Sequence, residues 1–404
     1  MLCGLLGRTL SYSYSPRIHS YLGDYPYVLF EKERSELADF LQNGAFDGLN
    51  VTIPYKKAVI PYLHSLSPIA KRLGAVNTIV RQKDDTLMGH NTDYFGFSSM
   101  VQKSGVQVAG KKALVLGSGG ASNTAVAVLE ELGAKVIVIS RSGENNYNNL
   151  ALHRDAALIV NATPVGMFPN VDDTPLSLDI FKQLEGVLDL NYNPARTRLL
   201  LDAEKRGVIA ENGLWMLVAQ AKEASEWFTG DSIPDSRIAE IHRTLSSQME
   251  NIVLIGMPGC GKSTIAQLLS QALQRPAIDA DEEISKAAGC TIPEIFANGG
   301  EEAFRRLETQ VLGGLCKGSG KIIATGGGCV TRKENYPLLH RNSKIIWLTR
   351  ELGKLPTDGR PLSQSTKLES MYEVRKPLYE RFADYIVSND GPAEETVTAI
   401  RRLL

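Results

Sequence analysis

One segment of this 404-residue chain has the residue types and spacing of a phosphate-binding loop. Residues 256–263, GMPGCGKS, fit the pattern GxxxxGK[ST] and follow an apolar run at 252–255. In such a loop, backbone N–H groups cradle phosphate oxygens, the lysine reaches the β- and γ-phosphates, and the serine hydroxyl binds Mg²⁺. The sequence therefore predicts an ATP and Mg²⁺ site formed by Gly259, Cys260, Gly261, Lys262, Ser263 and Thr264.

A second glycine-rich turn, GSGGAS at 117–122, is an incomplete GxGxxG because serine stands at its last position. An NAD site usually carries an acid after the next strand, where it binds the ribose 2′-hydroxyl. Here Arg141 follows the apolar run 136–139, and a cation suits the 2′-phosphate of NADP. The alternative interpretation is that Arg141 is a solvated loop cation. We predict NADP(H) binding at Gly117, Gly119, Gly120, Ala121 and Arg141.

These motifs lie in two regions of alternating strand and helix patterns. The first region runs from 113 to 211, with predicted strands at 113–116, 136–139, 158–160 and 187–190 and a helix at 121–132. Such alternation predicts an α/β fold with a doubly wound parallel sheet. A mostly helical stretch at 213–246 and a short polar joint at 246–250 precede a second βα series over 252–403. Because Met249 stands where an independent protein would begin, we interpret the joint as a fusion point.

Six motifs follow the phosphate-binding loop in order: IDADEEI at 278–284, IFANGGE at 295–301, FRRLE at 304–308, ATGGG at 324–328, GRPL at 359–362 and RKPLY at 375–379. With the loop, they make residues 250–404 resemble shikimate kinase, a P-loop α/β domain with a parallel sheet. The resemblance implies that Asp281 is the base, that Asp279 and Ser263 hold Mg²⁺, that Lys262 assists phosphoryl transfer, and that Arg360 is an ATP-binding lid residue. It also implies a shikimate site formed by Asp281, Arg305, Gly327, Gly328 and Arg375.

The N-terminal region contains seven separated polar motifs: SYSP at 13–16, NVTIPYKK at 50–57, GAVNT at 74–78, GHNTDYFG at 89–96, NATPVGM at 161–167, NYNP at 191–194 and GLWMLVAQ at 213–220. Together they make residues 1–246 resemble shikimate dehydrogenase, a two-lobed enzyme with a Rossmann-like NADP-binding lobe. The resemblance implies that Lys56 and Asp93 are the catalytic pair. The implied substrate residues are Ser13, Ser15, Thr52, Asn77, Asp93, Tyr192 and Gln220. The implied cofactor site also includes Asn161, Thr163 and Gly213.

The match to this second family has one marked departure. Residues 143–150 are rich in asparagine, where a firm helix is expected after the second strand. The second NADP-binding arginine of the family is absent from this stretch.

The two resemblances imply a bifunctional enzyme of chorismate and aromatic amino acid biosynthesis. It would reduce 3-dehydroshikimate to shikimate with NADPH and phosphorylate shikimate to shikimate 3-phosphate with ATP and Mg²⁺. The implied domains are a substrate lobe at 1–98 completed by helices at 213–246, an NADP lobe at 99–212, and a kinase domain at 250–404. The alternative is an NAD-linked quinate/shikimate dehydrogenase fused to a non-catalytic, shikimate-binding P-loop module.

Composition narrows the class of protein and its location. Basic and acidic residues number 44 and 45, for a net charge of -1, so no global positive field favours nucleic acid or an anionic membrane. The chain start does not resemble a signal peptide, and no apolar run reaches the roughly 18 residues of a transmembrane helix. Five cysteines without a CxxC pair indicate reduced thiols. We expect a cytoplasmic enzyme with small-molecule substrates, and the oligomeric state stays open.

Overall fold

Parallel strand ladders organise the computed structural model, which describes residues 1–10, 13–355 and 368–404. The chain divides into two compact units. The N-terminal unit comprises Met1–Met167, Asp172–Tyr192 and Leu199–Thr244. The C-terminal unit comprises Phe168–Val171, Asn193–Arg198 and Leu245–Leu404. The α/β class predicted from the alternating patterns is confirmed.

The first sheet of the N-terminal unit has six strands in the order β2-β1-β3-β5-β6-β4. Its strands are β1 (Cys3–Gly7), β2 (Tyr27–Glu31), β3 (Gly48–Val51), β4 (Ser65–Leu66), β5 (Thr78–Arg81) and β6 (Leu87–His90). The sheet is mixed, because β5 runs antiparallel to both β3 and β6. Strands β1 and β3 are buried along their whole length, so this sheet carries the core of the lobe.

The second sheet of this unit is entirely parallel, with the order β11-β10-β9-β7-β8. Its strands are β7 (Lys112–Leu116), β8 (Lys135–Ile139), β9 (Leu158–Asn161), β10 (Gly186–Asp189) and β11 (Ile209–Asn212). Parallel strands covered on both faces read as continuous apolar runs, which explains why four of the five could be predicted from the sequence. Their carboxyl ends share one edge, where ligands of such sheets bind.

Eight of the described helices lie wholly or mostly within the N-terminal unit. They are α1 (Ser15–His19), α2 (Leu37–Asn43), α3 (Pro68–Leu73), α4 (Asp93–Ser104), α5 (Gly120–Glu131), α6 (Arg198–Lys205), α7 (Leu214–Thr229) and α8 (Ser236–Met249). Gly96 allows α4 and α7 to pack closely, because a Cβ there would lie 2.8 Å from the Met216 carbonyl oxygen. The N-terminus of α4 is thereby held against the middle of α7.

The C-terminal unit has one parallel sheet with the order β13-β14-β12-β15-β16. Its strands are β12 (Asn251–Ile255), β13 (Ala277–Asp279), β14 (Ile322–Ala324), β15 (Ser343–Thr349) and β16 (Tyr385–Ser388). Its described helices are α9 (Lys262–Leu273), α10 (Ala280–Ala288), α11 (Ile292–Lys317), α12 (Asn335–His340), α13 (Leu368–Phe382) and α14 (Ala393–Leu403). No helix in the described ranges has both the length and the hydrophobicity needed to cross a bilayer.

The joint between the two predicted enzymes differs from the expected polar connection. Residues 246–249 are the last turn of α8, and β12 begins at Asn251. Leu245 and Met249 lie four residues apart and are both buried, so they share the apolar face of the helix. The joint at 246–250 is therefore mostly helical, because the Met249 side chain belongs to a helical face that packs inward.

A substitution of Leu254, at the centre of the C-terminal sheet, tests the assignment of the core of this unit. Leu254 is fully buried, and Leu254→Ala should lower the free energy of unfolding of the C-terminal unit by about 2–5 kcal/mol through the cavity it leaves. Native-state hydrogen exchange of the third sheet measures the change. The control is Val374→Ala on the surface of α13, where the side chain is 68% exposed and a change within about 0.5 kcal/mol is expected. Equal effects of the two substitutions would contradict the assignment of this core.

Candidate active sites

The N-terminal unit contains a cavity of about 310 Å³ that brings together residues from distant motifs. The predicted substrate residues all line it, and so does the predicted catalytic lysine: Ser13, Ser15, Thr52, Lys56, Asn77, Asp93, Tyr192 and Gln220. Their hydroxyl, amide, carboxylate and ammonium groups suit a small, polyhydroxylated carboxylate. Asn50 also lines the cavity, and it was not predicted; its side-chain oxygen accepts from the Tyr27 hydroxyl at 2.7 Å.

Lys56 and Asp93 form an ion pair in this cavity, with 2.5 Å between Nζ and Oδ2. The Lys56 side chain is 22% exposed and that of Asp93 only 11%. Asp93 begins α4, where the positive end of the helix dipole favours a carboxylate. The pair therefore places a proton-donating ammonium, with its counter-charge, against the space where a substrate would lie.

Hydrogen bonds from two other segments of the chain fix the start of α4. The Asn77 side-chain oxygen accepts from the Thr92 backbone N–H at 2.7 Å, and the Asn77 amide donates to the Thr92 hydroxyl oxygen at 3.0 Å. The Thr92 hydroxyl also lies 3.4 Å from the Gln220 side-chain oxygen on α7. Because Asp93 follows Thr92 directly, these contacts set the position of the carboxylate that holds Lys56.

A larger cavity of about 830 Å³ lies at the carboxyl edge of the second sheet. Of the residues predicted to bind the cofactor, it is lined by Gly117, Gly119, Gly120, Ala121, Arg141 and Thr163. Lys56 and Ala121 line both this cavity and the substrate cavity. The two spaces therefore adjoin, as transfer of a hydride between a bound dinucleotide and a substrate requires.

The glycine turn in this cavity explains its departure from GxGxxG. Gly117 has a φ of 109°, which only glycine adopts readily, and Gly119 is the N-cap residue of α5. The Ser122 hydroxyl donates to the Gly117 carbonyl at 2.7 Å, so the serine at the last motif position closes the turn. Backbone N–H groups at the start of α5 can bind a pyrophosphate, and the residues present fit a dinucleotide.

Two residues predicted to bind the cofactor have different surroundings. Asn161 is fully buried: its amide donates to Asp189 and Val165, and its oxygen accepts from Thr163 at 2.6 Å. It shapes the loop that carries Thr163. Gly213 lines the substrate cavity, and a Cβ there would lie 2.1 Å from the Leu190 carbonyl oxygen. This close approach of two backbones requires a glycine at position 213, and the predicted cofactor contact of Gly213 stays a prediction.

The C-terminal unit has a cavity of about 710 Å³ around the phosphate-binding loop. It is lined by these predicted residues: Gly259, Gly261, Lys262, Ser263, Thr264, Asp279, Asp281, Arg305, Gly327, Gly328 and Arg375. Cys260, also predicted there, is fully buried, and its carbonyl accepts from the Asn389 amide at 2.7 Å. Its side chain is therefore part of the core beneath the loop. The predicted lid residue Arg360 lies outside the described residues.

The loop itself places a cation and two oxygen donors. Lys262 donates from Nζ to the carbonyls of Gly256 and Met257, both at 3.0 Å, so the ammonium lies over the loop. The Ser263 hydroxyl donates to the Asp279 carboxylate at 2.6 Å. Hydroxyl and carboxylate oxygens are the ligands that Mg²⁺ prefers, so this pair fits the predicted metal. Among the described residues, no cluster of three or more His, Cys, Asp or Glu forms a further metal site.

Arg305 is a buried cation of this cavity that two carboxylates hold in place. It donates to Glu308 at 2.8 Å and to Glu301 at 3.1 and 3.2 Å, and its side chain is only 6% exposed. Burial raises the pKa of the Glu308 carboxyl, an effect that the Arg305 charge partly counters. A Cβ at Gly328 would lie 2.1 Å from an Arg305 nitrogen, so a larger residue there would require the guanidinium to move.

Arg375 and Tyr379 fix the neighbouring glycine. They lie one turn apart on α13, and both donate to the Gly327 carbonyl, the arginine at 3.1 Å. Burial raises the pKa of the Tyr379 phenol, so it remains a donor at neutral pH. The backbone of the glycine-rich turn is therefore set by the same helix that supplies the second guanidinium.

The sequence analysis missed some residues that line the two nucleotide cavities. They are Lys57, Ser140 and Tyr147 in the N-terminal unit and Ser285 and Arg350 in the C-terminal unit. Ser140 and Arg350 directly follow the carboxyl ends of parallel strands, a position where ligands bind, and that signal could have identified them. The other three have no such local signal.

Comparisons with known proteins agree with this geometry. The family model for the shikimate dehydrogenase substrate-binding domain matches residues 5–79, and that for shikimate kinase matches residues 258–404. An NADP(+)-dependent shikimate dehydrogenase of Clostridium beijerinckii is 36% identical over 244 residues, covering 55% of this chain and 90% of the relative.

Solved structures give the same result. A chorismate mutase/shikimate 5-dehydrogenase fusion protein from Clostridium acetobutylicum is 34% identical, with a TM-score of 0.58 over 61% of this chain and 97% of that chain. Shikimate dehydrogenase 1 from Peptoclostridium difficile is 37% identical, with a TM-score of 0.56 over 61% of this chain and 98% of that chain. The chain therefore belongs to the shikimate dehydrogenase family and also carries a shikimate kinase domain, which makes it a bifunctional enzyme of the shikimate pathway.

Proposed function

We propose that the N-terminal unit reduces 3-dehydroshikimate to shikimate with NADPH, and that the C-terminal unit phosphorylates the 3-hydroxyl of shikimate with ATP and Mg²⁺. The observation that carries the first activity is the Lys56–Asp93 ion pair inside a cavity lined by hydroxyl and amide groups. The second activity is supported by the phosphate-binding loop, which lines the same cavity as the two buried arginines Arg305 and Arg375.

Reduction of a ketone requires a hydride at carbon and a proton at oxygen. NADPH, when bound, supplies the hydride. Lys56 gives its proton to the carbonyl oxygen as the hydroxyl forms, and Asp93 stabilises the ammonium before transfer. Solvent then reprotonates the neutral lysine. Ser13 and Ser15 bind the substrate carboxylate with Tyr192 near it, while Thr52, Asn77 and Gln220 bind ring hydroxyls.

The cofactor preference follows from the charge at the end of β8. Arg141 lines the cavity in the position where an NAD site has an acid, so we propose that it pairs with the 2′-phosphate of NADP. A Cβ at Gly119 or Gly120 would project into open space, with no protein atom within 4 Å. Because glycine leaves that space free, the backbone at both positions can approach the pyrophosphate.

In the C-terminal unit, Asp281 accepts the proton of the attacking shikimate hydroxyl. The oxygen of that hydroxyl bonds to the γ-phosphorus as ADP departs. Lys262 stabilises the negative charge on the transferring group. Ser263 and Asp279 would hold Mg²⁺, which neutralises phosphate charge when bound. Arg305 and Arg375 bind the shikimate carboxylate as guanidinium forks, and Gly327 and Gly328 contribute backbone contacts.

We also propose that each part of the reaction sequence belongs to a separate range of residues. Residues 1–98 with helices at 213–246 form the substrate lobe, 99–212 the NADP lobe and 250–404 the kinase. The partners are small molecules, with neither nucleic acid nor membrane required. A cytoplasmic location is supported by the five cysteines, which are all free thiols.

A coupled assay on the intact chain tests the whole proposal. With 3-dehydroshikimate, NADPH and ATP plus Mg²⁺ present, oxidised NADP, shikimate, ADP and shikimate 3-phosphate should all form. A higher kcat/KM with NADH than with NADPH would favour the NAD-linked quinate/shikimate alternative. Shikimate binding without any ADP formation would favour a non-catalytic P-loop module.

Removal of the proposed proton donor should separate the two activities. Lys56→Ala should lower kcat for dehydroshikimate reduction by about 10²- to 10⁴-fold, the usual contribution of a positioned acid or base. The ATP-dependent activity of the same chain should be unchanged. Steady-state kinetics of both reactions measure this, with the exposed Lys83→Ala as the matched control. Loss of both activities in Lys56→Ala would refute independent sites.

Removal of one guanidinium should separate the two substrates of the kinase. Arg305→Ala should raise the shikimate KM by about 30-fold or more, because truncating a buried, hydrogen-bonded charge is costly. The ATP KM should change less than about two-fold, since Arg305 serves the other substrate. The neighbouring Arg306→Ala is the control, because that side chain is exposed. A larger rise in the ATP KM than in the shikimate KM would contradict the assigned role.

A further inference from the structure

The cofactor cavity has two chemically different ends. Lys56 and Ala121 lie at the end that adjoins the substrate cavity, since they line both cavities. Ser140 and Arg141 directly follow β8 and line the cavity there, and Tyr147, from the loop after β8, lines it as well. In parallel sheets of this kind, the ribose of the adenosine lies at the end of the second strand. This part of the cavity therefore receives the adenosine half of the dinucleotide.

The loop after β8 is built to hold one conformation without a helix. The Asn146 amide donates to the Gly143 carbonyl at 3.1 Å, and the Asn149 amide donates to the Glu144 carbonyl at 2.9 Å. The Asn149 side-chain oxygen accepts from the Asn146 backbone N–H at 2.8 Å. Side chains thus replace the backbone ladder that a helix would supply, which accounts for the asparagine-rich sequence.

Tyr147 lies in the middle of this loop and faces two environments. One part of its ring packs against the apolar cluster beneath the sheet, which includes Leu116 and Ile139. Another part lines the cofactor cavity beside Arg141. Burial raises the pKa of its phenol, and the nearby Arg141 charge counters that effect. A half-buried aromatic ring is therefore fixed next to the cation proposed for the 2′-phosphate.

We propose that Tyr147 is an adenosine-binding residue, whose ring stacks on the adenine of the dinucleotide while Arg141 pairs with the 2′-phosphate. Adenine presents a flat π-face that any aromatic side chain can stack on, independently of the phosphate. Residues 140–149 contain a single basic residue, so the ring supplies the affinity that a second cation would otherwise provide. This inference rests on the proposed NADP-dependent activity of the N-terminal unit.

The stacking role makes a specific prediction about the two dinucleotides. Tyr147→Leu keeps an apolar side chain against the cluster but removes the aromatic face. It should weaken binding of NADPH and of NADH alike, by about ten-fold, whereas Tyr147→Phe should bind both within about two-fold of wild type. Arg141→Ala should weaken NADPH selectively. Equilibrium titration of the full-length chain with each dinucleotide measures these changes.

Two further readouts keep the outcome decisive. The 3-dehydroshikimate KM of Tyr147→Leu should match wild type, which shows that the N-terminal unit is folded. The conservative Tyr147→Phe should retain affinity for both dinucleotides even if the leucine variant does not fold. Unchanged affinity of Tyr147→Leu for both dinucleotides would overturn the inference. A selective loss of NADPH affinity in Tyr147→Phe would also overturn it, because that pattern assigns the phenol to the phosphate. If wild type binds neither dinucleotide, the proposed function itself fails.

Discussion

A cation taken partly out of water needs a counter-charge, and each active site of this chain is built around such a pair. Lys56 is held by Asp93 in the N-terminal unit, and Arg305 is held by Glu308 in the C-terminal unit. Removing one partner from a buried pair typically costs about 3–5 kcal/mol, because the other charge stays behind. The cavities, loops and glycines around each pair are arranged to keep both members in place and one face of the cation accessible.

The same constraint explains where the polar networks lie. Asn77 and Thr92 hold the first turn of α4, so buried hydrogen bonds fix the backbone that carries the Asp93 carboxylate beside the lysine. Around Arg305, Gly328 leaves space for the guanidinium that any larger residue would displace. An almost neutral chain can therefore bind anionic ligands in two places, since each site holds cations of its own.

The two parallel sheets contribute to function through their carboxyl edges. Gly117 and Arg141 follow β7 and β8, while the phosphate-binding loop follows β12 and Asp281 follows β13. Because parallel strands end at one edge, residues that are far apart in sequence meet there with little dependence on the connecting loops. The Asn-rich segment after β8 shows how tolerant the arrangement is: turns held by side-chain amides replace a helix and still deliver Arg141 and Tyr147 to the cavity.

The sequence by itself determined the strand–loop–helix units, the parallel sheets and the two glycine-rich loops, because these depend on local patterns: apolar runs, glycine spacing, and the side chains that follow a strand. The catalytic and substrate residues that line the cavities came from the resemblance of their motifs to two known families. Only the tertiary structure decided which way individual side chains face. Asn161 turns into its own loop, Gly213 serves a backbone approach, and Tyr147 reaches the cofactor cavity, because packing between segments distant in sequence sets those directions. Local spacing carries no information about that packing, and so it identified the motifs but not the role of every member.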